Sequence, residues 1–314
     1  MRKAKSLEAA LPWLYLKGIS TGEMDGALKA LLGPDATGFS ANTVARLKAK
    51  WGAEYGDWCK TDLSCDDWAY LWVDGIYSGL RAAENRLCAL VVIGVNARGE
   101  KHFLAIDDAV RESTQSWREV LLALKARGLH APKLAVGDGA MGFWAALEEI
   151  FPTTRQQRCW VHKSANVLNC LPKRSQPKAR KMLHDIWRAE TRKDAEASFD
   201  LFVETCEPKY PKATARLVKD REEVLAFYNF PAQHWQSIRT TNPIESTFAT
   251  IRHRTRRAKG CLTRDGMVHM MFRLAQCAET SWRKLRGFAH LADVIEGVDF
   301  INGVKPSRTD QAAA

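Results

Sequence analysis

No apolar run in this 314-residue chain is long enough to cross a bilayer. The opening Met1-Arg2-Lys3-Ala4-Lys5 leads into an amphipathic segment, not the apolar stretch of a secretory leader. Membrane insertion and export are therefore not expected. The eight cysteines, at positions 59, 65, 88, 159, 170, 206, 261 and 277, form no regular framework, and several sit in apolar runs as small hydrophobes. This argues against a disulfide scaffold and for free thiols in a reducing, cytoplasmic setting. Negative charge is also scarce. The 36 Asp and Glu face 47 Lys and Arg, which leaves a formal charge of +11. That surplus calls for a polyanionic partner such as nucleic acid. Apolar residues make up an ordinary 46%, so a sizeable core is available. The length suggests about two domains.

The first sixty residues read as helical. A short helix, a turn and a basic helix from Ser40 to Trp51, carrying Arg46, Lys48 and Lys50, together suggest a helix-turn-helix. A plain helical bundle fits the same pattern. From residue 66 the period changes. Runs at 68–77, 87–96 and 101–106 are rich in aromatic and β-branched types, as strands are, and the second is apolar throughout and so expected to be central. A helix follows at 114–128, ending at Gly128, then a strand from Lys133, a helix at 141–150 and a fifth strand from Gln157 to Val161. Residues 163–234 show only helical patterning, and between Arg155 and Lys193 there are eleven Lys or Arg against Asp185 and Glu190. The expected fold is α/β: a mixed sheet with flanking helices, interrupted by an all-α insertion and preceded by the helix-turn-helix-like segment. Its divisions are 1–60, 61–154 for the first part of the sheet domain, 155–235 for the insertion, 236–300 for the second part, and 301–314 as a disordered tail.

In so basic a chain three carboxylates stand out: Asp74 in Trp-Val-Asp-Gly, Asp138 in Val-Gly-Asp-Gly-Ala and Glu245 in Thr-Thr-Asn-Pro-Ile-Glu-Ser. The first two close apolar strand-like runs and the third opens an arginine-rich helix. Carboxylates held at element ends inside a cationic protein suggest a divalent-metal site acting on phosphodiesters, since Mg²⁺ prefers hard oxygen ligands. Each also has a plainer explanation. Asp74-Gly75 is a good hairpin turn. Asp138 suits the cap of the helix at 141. Glu245 falls at the third position of a helix capped by Asn242 with Pro243 next, the place of a capping-box acid.

The wording around these acids resembles the Mutator-type family of bacterial insertion-sequence transposases. The match rests on Asp74-Gly75, on Gly137-Asp138-Gly139-Ala140, on Arg158-Cys159-Trp160-Val161-His162-Lys163, and above all on Arg239-Thr-Thr-Asn-Pro-Ile-Glu245-Ser246. It spans roughly residues 10–290. The resemblance implies an RNase H-like fold with a helical insertion between the second Asp and the Glu. It also implies a DDE triad of Asp74, Asp138 and Glu245 bridging two Mg²⁺ ions, for which Mn²⁺ can substitute. The implied partner is double-stranded DNA, at element ends and target, handled by a homo-oligomer. No Ser, Tyr or Cys nucleophile is required, because hydrolysis and strand joining are the same in-line displacement with different nucleophiles.

Other residues follow from the same resemblance. Cys159-x-x-His162 lies beside the implied catalytic centre, with His162 and Lys163 expected to touch DNA. Zinc is not expected there, because no second Cys/His pair supplies the remaining ligands. The plainer explanation is that Cys159 and Val161 point into the core while His162 caps a strand end. Downstream, Arg252, Arg254, Arg256, Arg257 and Lys259 give a basic helix, and with Arg239 and Asn242 they are expected to form a phosphate track, although such a charge run also suits a solvated face. Trp160 and Trp235 suit base stacking, but core packing suits them better. Family members carry more chain upstream of the helix-turn-helix region, so an N-terminally truncated, non-catalytic DNA-binding copy stands as the alternative function. A nuclease that cuts without joining is a third.

Overall fold

A computed structural model describes residues 41–78, 87–139, 141–242 and 263–306. Glu245 and the basic run 252–259 lie outside them, as do the first two expected helices. The chain order begins with α1 (Ala41–Trp58), β1 (Trp68–Ser78), β2 (Leu87–Asn96), β3 (Lys101–Ala109), α2 (Thr114–Ala126), β4 (Leu134–Gly137), α3 (Met141–Ile150) and β5 (Arg155–Arg158). The five strands form one mixed sheet in the order β3-β2-β1-β4-β5. Strands β1, β2 and β3 meander antiparallel, whereas β4 and β5 run parallel to β1. The parallel step from β3 to β4 needs a crossover, which α2 supplies. Its ends are set by local chemistry. Ser113 Oγ accepts from the Ser116 amide, and Gly128 takes a left-handed φ of 92° so that the Leu129 amide reaches back to the Leu124 carbonyl.

Alternation along the strands divides the core. Leu71 and Val73 of β1, with Leu90 and Val92 of β2, face Trp117 and Leu121 of α2 and Phe143 and Leu147 of α3. Tyr70, Trp72 and Ile76, with Val91 and Ile93, face the opposite side. Strand β2 is buried from Cys88 to Val95, which explains its unbroken apolar run.

That opposite face is covered by helices from two parts of the chain. After β5 come α4 (Trp160–Leu168), α5 (Gln176–Arg188), α6 (Arg192–Cys206), α7 (Pro211–Val218) and α8 (Arg221–Leu225). Two short 3₁₀ turns then lead to α9 (Trp235–Ile238), and α10 (Arg264–Glu279) and α11 (Leu291–Glu296) complete the described chain. The expected strand from Gln157 to Val161 is corrected: it runs from Arg155 to Arg158, and helix begins at Trp160, ahead of the helical patterning expected from 163. Buried Trp160, Lys163, Val167 and Leu168 recur at helical spacing, and that periodicity wins over the short apolar run. Asp74 falls within the expected strand at 68–77, and its plainer explanation as a turn is excluded. It pairs with Val91 inside the continuous strand β1, so Asp74-Gly75 is no hairpin turn.

Helix α1 runs on past the expected end at Trp51 because Trp51, Tyr55 and Trp58 share a face. The Tyr55 and Trp58 rings lie 5.6 and 5.0 Å from that of Phe272 on α10. A Cβ at Gly52 would come within 2.9 Å of the His269 ring. Helix α1 is thus joined to the sheet domain. Residues 301–306, assigned to a disordered tail, are folded: Ile301 bridges Val304, and Gly303 exchanges backbone hydrogen bonds with Tyr228 and Ala232. Among the described residues no helix is long and apolar enough to cross a membrane, and seven cysteines are free thiols.

Two buried polar contacts tie the helical block down. The Lys163 ammonium on α4 is held by the Asp220 carboxylate and by the Arg216 carbonyl at 2.9 Å, while Arg158 Nε of β5 stands 3.8 Å from Asp220. Elsewhere His234 Nδ1 accepts from the Tyr70 hydroxyl at 2.8 Å, which leaves Nε2–H to donate to the Gly287 carbonyl at 2.9 Å. Burial holds the His234 imidazole neutral and lowers its pKa to about 4.

Removing Asp220 leaves buried cations without their counter-charge, so Asp220→Ala is expected to destabilise the chain by about 3–5 kcal/mol in denaturant unfolding. A loss below about 1 kcal/mol would show that the cluster does not hold the block. The unfolded chain protonates His234 near pH 6.5, whereas the folded state keeps it neutral to about pH 4. Its contribution is therefore full above about pH 6.5 and declines as the pH falls. The stability advantage of wild type over His234→Gln should shrink by up to roughly 3 kcal/mol between pH 7 and pH 4.

Candidate active site

The sheet register sets the site. Strands β1 and β4 are parallel, with Tyr70 beside Leu134, Leu71 beside Ala135 and Trp72 beside Val136. Two residues further along each chain stand Asp74 and Asp138. Neighbouring strands are about 4.8 Å apart, so the same register sets the two carboxylates side by side at the centre of the sheet. Both are partly buried. Their charges converge on two common neighbours, His162 and Glu112.

The backbone at Asp138 is fixed from two directions. Its carbonyl accepts from the Trp144 indole at 2.8 Å and from Arg158 at 3.4 Å. The Arg158 guanidinium itself lies over the Trp144 ring, 4.1 Å from its centroid, and is almost fully buried. The turn from β4 into α3 is therefore clamped by α3 on one side and by β5 on the other.

Glu112 is a site residue that the sequence reading missed. It precedes the cap of α2, and its carboxylate crosses over Gly75. A Cβ at residue 75 would collide with it, and one at Gly142 on α3 would come within 2.7 Å of the backbone at Ser113 and Thr114. Gly75 has no positive φ to justify it, so space for Glu112 is its reason. Burial, and then the charges of Asp138 and Asp74, push the Glu112 carboxyl up to about 7. The available signal was a glycine inside a strand with no turn to make.

Cys159 and His162 act through α4. The Cys159 amide donates to the Gly137 carbonyl at 2.8 Å, one residue before Asp138, and the Trp160 amide donates to the Arg239 carbonyl at 3.0 Å. The buried Cys159 thiol meets the Thr241 hydroxyl and accepts from the Thr241 amide, each at 3.3 Å. One short chain of contacts thus joins the end of β4, the start of α4 and the Thr240-Thr241-Asn242 segment. His162 lies in the first turn of α4, not at a strand end. Its hydrogen bond to Cys159, then the charges of Cys159, Asp138 and Asp74, outweigh burial and raise its pKa to about 9. Burial pushes the Cys159 thiol up, but hydrogen bonds from His162 and Thr241 bring it below the usual value. His162 is thus a cation at neutral pH, close to two carboxylates.

The remaining described residues separate. Lys163 is buried and committed to Asp220. Arg239 donates to the Trp187 carbonyl at 2.8 Å, its guanidinium over that ring at 4.4 Å, and Asn242 is exposed at the rim of an open groove. Trp160 is a core residue that donates to the Val224 carbonyl, and Trp235 packs on Phe227 and Tyr228. Glu245, Arg252, Arg254, Arg256, Arg257 and Lys259 lie outside the described residues. Among the described residues no three His, Cys, Asp or Glu side chains converge to hold a metal ion.

Comparison with known proteins agrees with the site's wording. The family model described as Transposase, Mutator family matches residues 1–284. The chain is 48% identical over 287 residues to the transposase for insertion sequence element IST2 of Acidithiobacillus ferrooxidans, covering 91% of this chain and 97% of that protein. It is 44% identical over 297 residues to the transposase for insertion sequence element IS6120 of Mycolicibacterium smegmatis, covering 95% and 92%. A more distant relative, the transposase for insertion sequence element ISRM5 of Rhizobium meliloti, is 26% identical over 94% of this chain and 74% of its own length. With its family model matched over most of its length and two relatives matched nearly end to end, the chain belongs to the Mutator family of transposases.

Proposed function

We propose that the chain is a DDE transposase that cleaves the DNA ends of an insertion sequence and joins them to target DNA in a metal-dependent reaction. The observation that carries this reading is the parallel β1–β4 register, which places Asp74 and Asp138 at the same two-residue offset beyond the Trp72–Val136 pair, inside a chain of net charge +11. The strand order β3-β2-β1-β4-β5, with three antiparallel strands followed by two parallel ones, supports an RNase H-like sheet. Glu245 follows Asn242 by three residues, a stretch of chain that reaches no further than about 11 Å. Asn242 in turn follows Thr241, which is tied through Cys159 to the end of β4. This supports Glu245 as the third acid.

The donor set fits a hard divalent cation. It offers carboxylate oxygens, and the upward push on Glu112 reports repulsion among the acids that a cation would relieve. Two Mg²⁺ ions, or Mn²⁺ in their place, held by Asp74, Asp138 and Glu245 would activate water or a DNA 3′-hydroxyl and stabilise the leaving 3′-oxygen. The protein's own contribution is positional. Arg158 and Trp144 fix the Asp138 carbonyl. Protonated His162 presents positive charge beside the acids, where the anionic scissile phosphate has to approach. Work on two DNA ends favours a homo-oligomer, and residues 1–60 are proposed as the segment that recognises those ends. No observation favours a non-catalytic DNA-binding chain: Asp74 and Asp138 each stand two residues beyond the Trp72–Val136 pair of the parallel strands.

Asp74→Asn, Asp138→Asn and Glu245→Gln should each lower cleavage and joining by roughly a thousandfold or more, with DNA binding nearly unchanged. The assay uses DNA carrying the element's ends with Mg²⁺ or Mn²⁺. A variant that still cleaves removes its residue from the triad, and cutting without joining would identify a nuclease. His162→Gln should slow cleavage about 10- to 100-fold. Wild-type activity should decline above about pH 9 as His162 loses its proton, and that decline should be absent from the variant's profile.

A further inference from the structure

Helix α5 carries a feature that the catalytic reading does not use. Arg180, His184 and Arg188 recur every four residues and so share one face, while Ala179, Leu183 and Ile186 are buried on the other. The basic face forms one wall of an open groove of about 530 Å³. Helix α4 forms the second wall, with Ser164 and Ala165. The third is the segment from Gln236 to Asn242, including Arg239.

The groove's charge is one-sided. Among the described residues no acid lines it. Among the described residues Arg180, Arg188 and Arg239 make no ion pair, as is also true of several arginines outside the groove, so their charges are not neutralised locally. Arg188 and Arg239 lie over the same Trp187 ring at 5.1 and 4.4 Å, which draws two guanidinium groups together at one place. Burial, and then the charges of Arg188 and Arg180, hold the His184 imidazole below its usual pKa. Like charges assembled without a counter-ion destabilise one another, and a guanidinium offers the paired donors that match phosphate oxygens. Asn242, which lines the groove, stands three residues before Glu245 in the sequence.

We propose that this groove between α4, α5 and the 236–242 segment is a binding track for the phosphodiester backbone of DNA, with Arg180, Arg188 and Arg239 as its phosphate contacts. It lies on the helical block, uses residues other than the 252–259 run, and would hold the duplex next to the cleavage centre. The inference rests on the transposase reading and adds a surface to it.

The test is fluorescence anisotropy of the full chain with a short labelled duplex across a salt series. Arg180→Glu/Arg188→Glu should weaken binding about 10- to 100-fold at low salt and lower the log–log salt slope by roughly 2, since each phosphate contact accounts for about 0.9. The control is Lys193→Glu/Lys212→Glu, which alters the same number of exposed charges outside the groove. A loss no larger in the groove variant than in this control overturns the proposal. In the wild-type chain, where folding is not in question, bound duplex should protect Arg180 and Arg188 from phenylglyoxal, read by mass spectrometry. Unprotected arginines also overturn it. The catalytic reading is tested separately: Asp74→Asn retains binding under either outcome, and a wild-type chain that binds no duplex sinks the transposase reading itself.

Discussion

The parallel pairing of β1 with β4 is the constraint on which the rest of the site depends. It brings two carboxylates from positions 64 residues apart to the same level of adjacent strands. Pairing of this kind has no short connection, so the chain must make the β2–β3 meander and the α2 crossover before β4 can lie beside β1. Two like charges at the centre of a sheet repel, and the surroundings reflect that. Burial, and then the two aspartates, push Glu112 toward its neutral form, while the hydrogen bond to Cys159, with the same aspartates adding to it, holds His162 in its charged form. Both pKa values move upward, as nearby negative charge requires: the acid is left closer to neutral and the base closer to charged.

The Cys-x-x-His motif serves this arrangement architecturally. The Cys159 backbone continues the pairing begun at Gly137, and its thiol receives the Thr241 amide. A buried thiol is a weak acceptor, and a lone one would not organise a loop. Here it works with the Trp160–Arg239 backbone bond, and the two contacts flank Thr240. The segment that leads to the third proposed acid is therefore tied to the strand end that carries the second.

Much of this fold was legible because local chemistry and tertiary demand agreed. The three meander strands, the ends of α2 at Ser113 and Gly128, and the helical block all follow from period and capping. The misread places are where one short run satisfies two periods. Arg158 to Val161 looks strand-like, yet Trp160, Lys163 and Val167 need helical spacing to bury themselves. Asp74-Gly75 has turn composition, but a carboxylate from elsewhere in the chain supplies the reason for the glycine. For Lys163, which the resemblance puts at DNA, the partner that holds its ammonium inside is Asp220, 57 residues away. Each of these depends on a partner remote in sequence, which composition and spacing do not encode.

The helical block and the acidic centre share their fasteners. Arg158 touches the Asp138 carbonyl and lies near Asp220 of the block. Arg239 gives its carbonyl to the first turn of α4 and its guanidinium to the Trp187 ring on α5. A strand of DNA lying along the basic face of α5 would therefore rest on a surface connected to Asp138 by two or three short, buried contacts. Rigid connection of that kind matters for an in-line displacement, where an error of about 1 Å in the approach of nucleophile to phosphorus costs rate steeply. An insertion on a flexible tether would supply affinity without alignment. One clamped to β5 and to the end of β4 supplies both, and this gives a physical reason for the buried Lys163–Asp220–Arg158 cluster in a chain that otherwise keeps its cations at the surface.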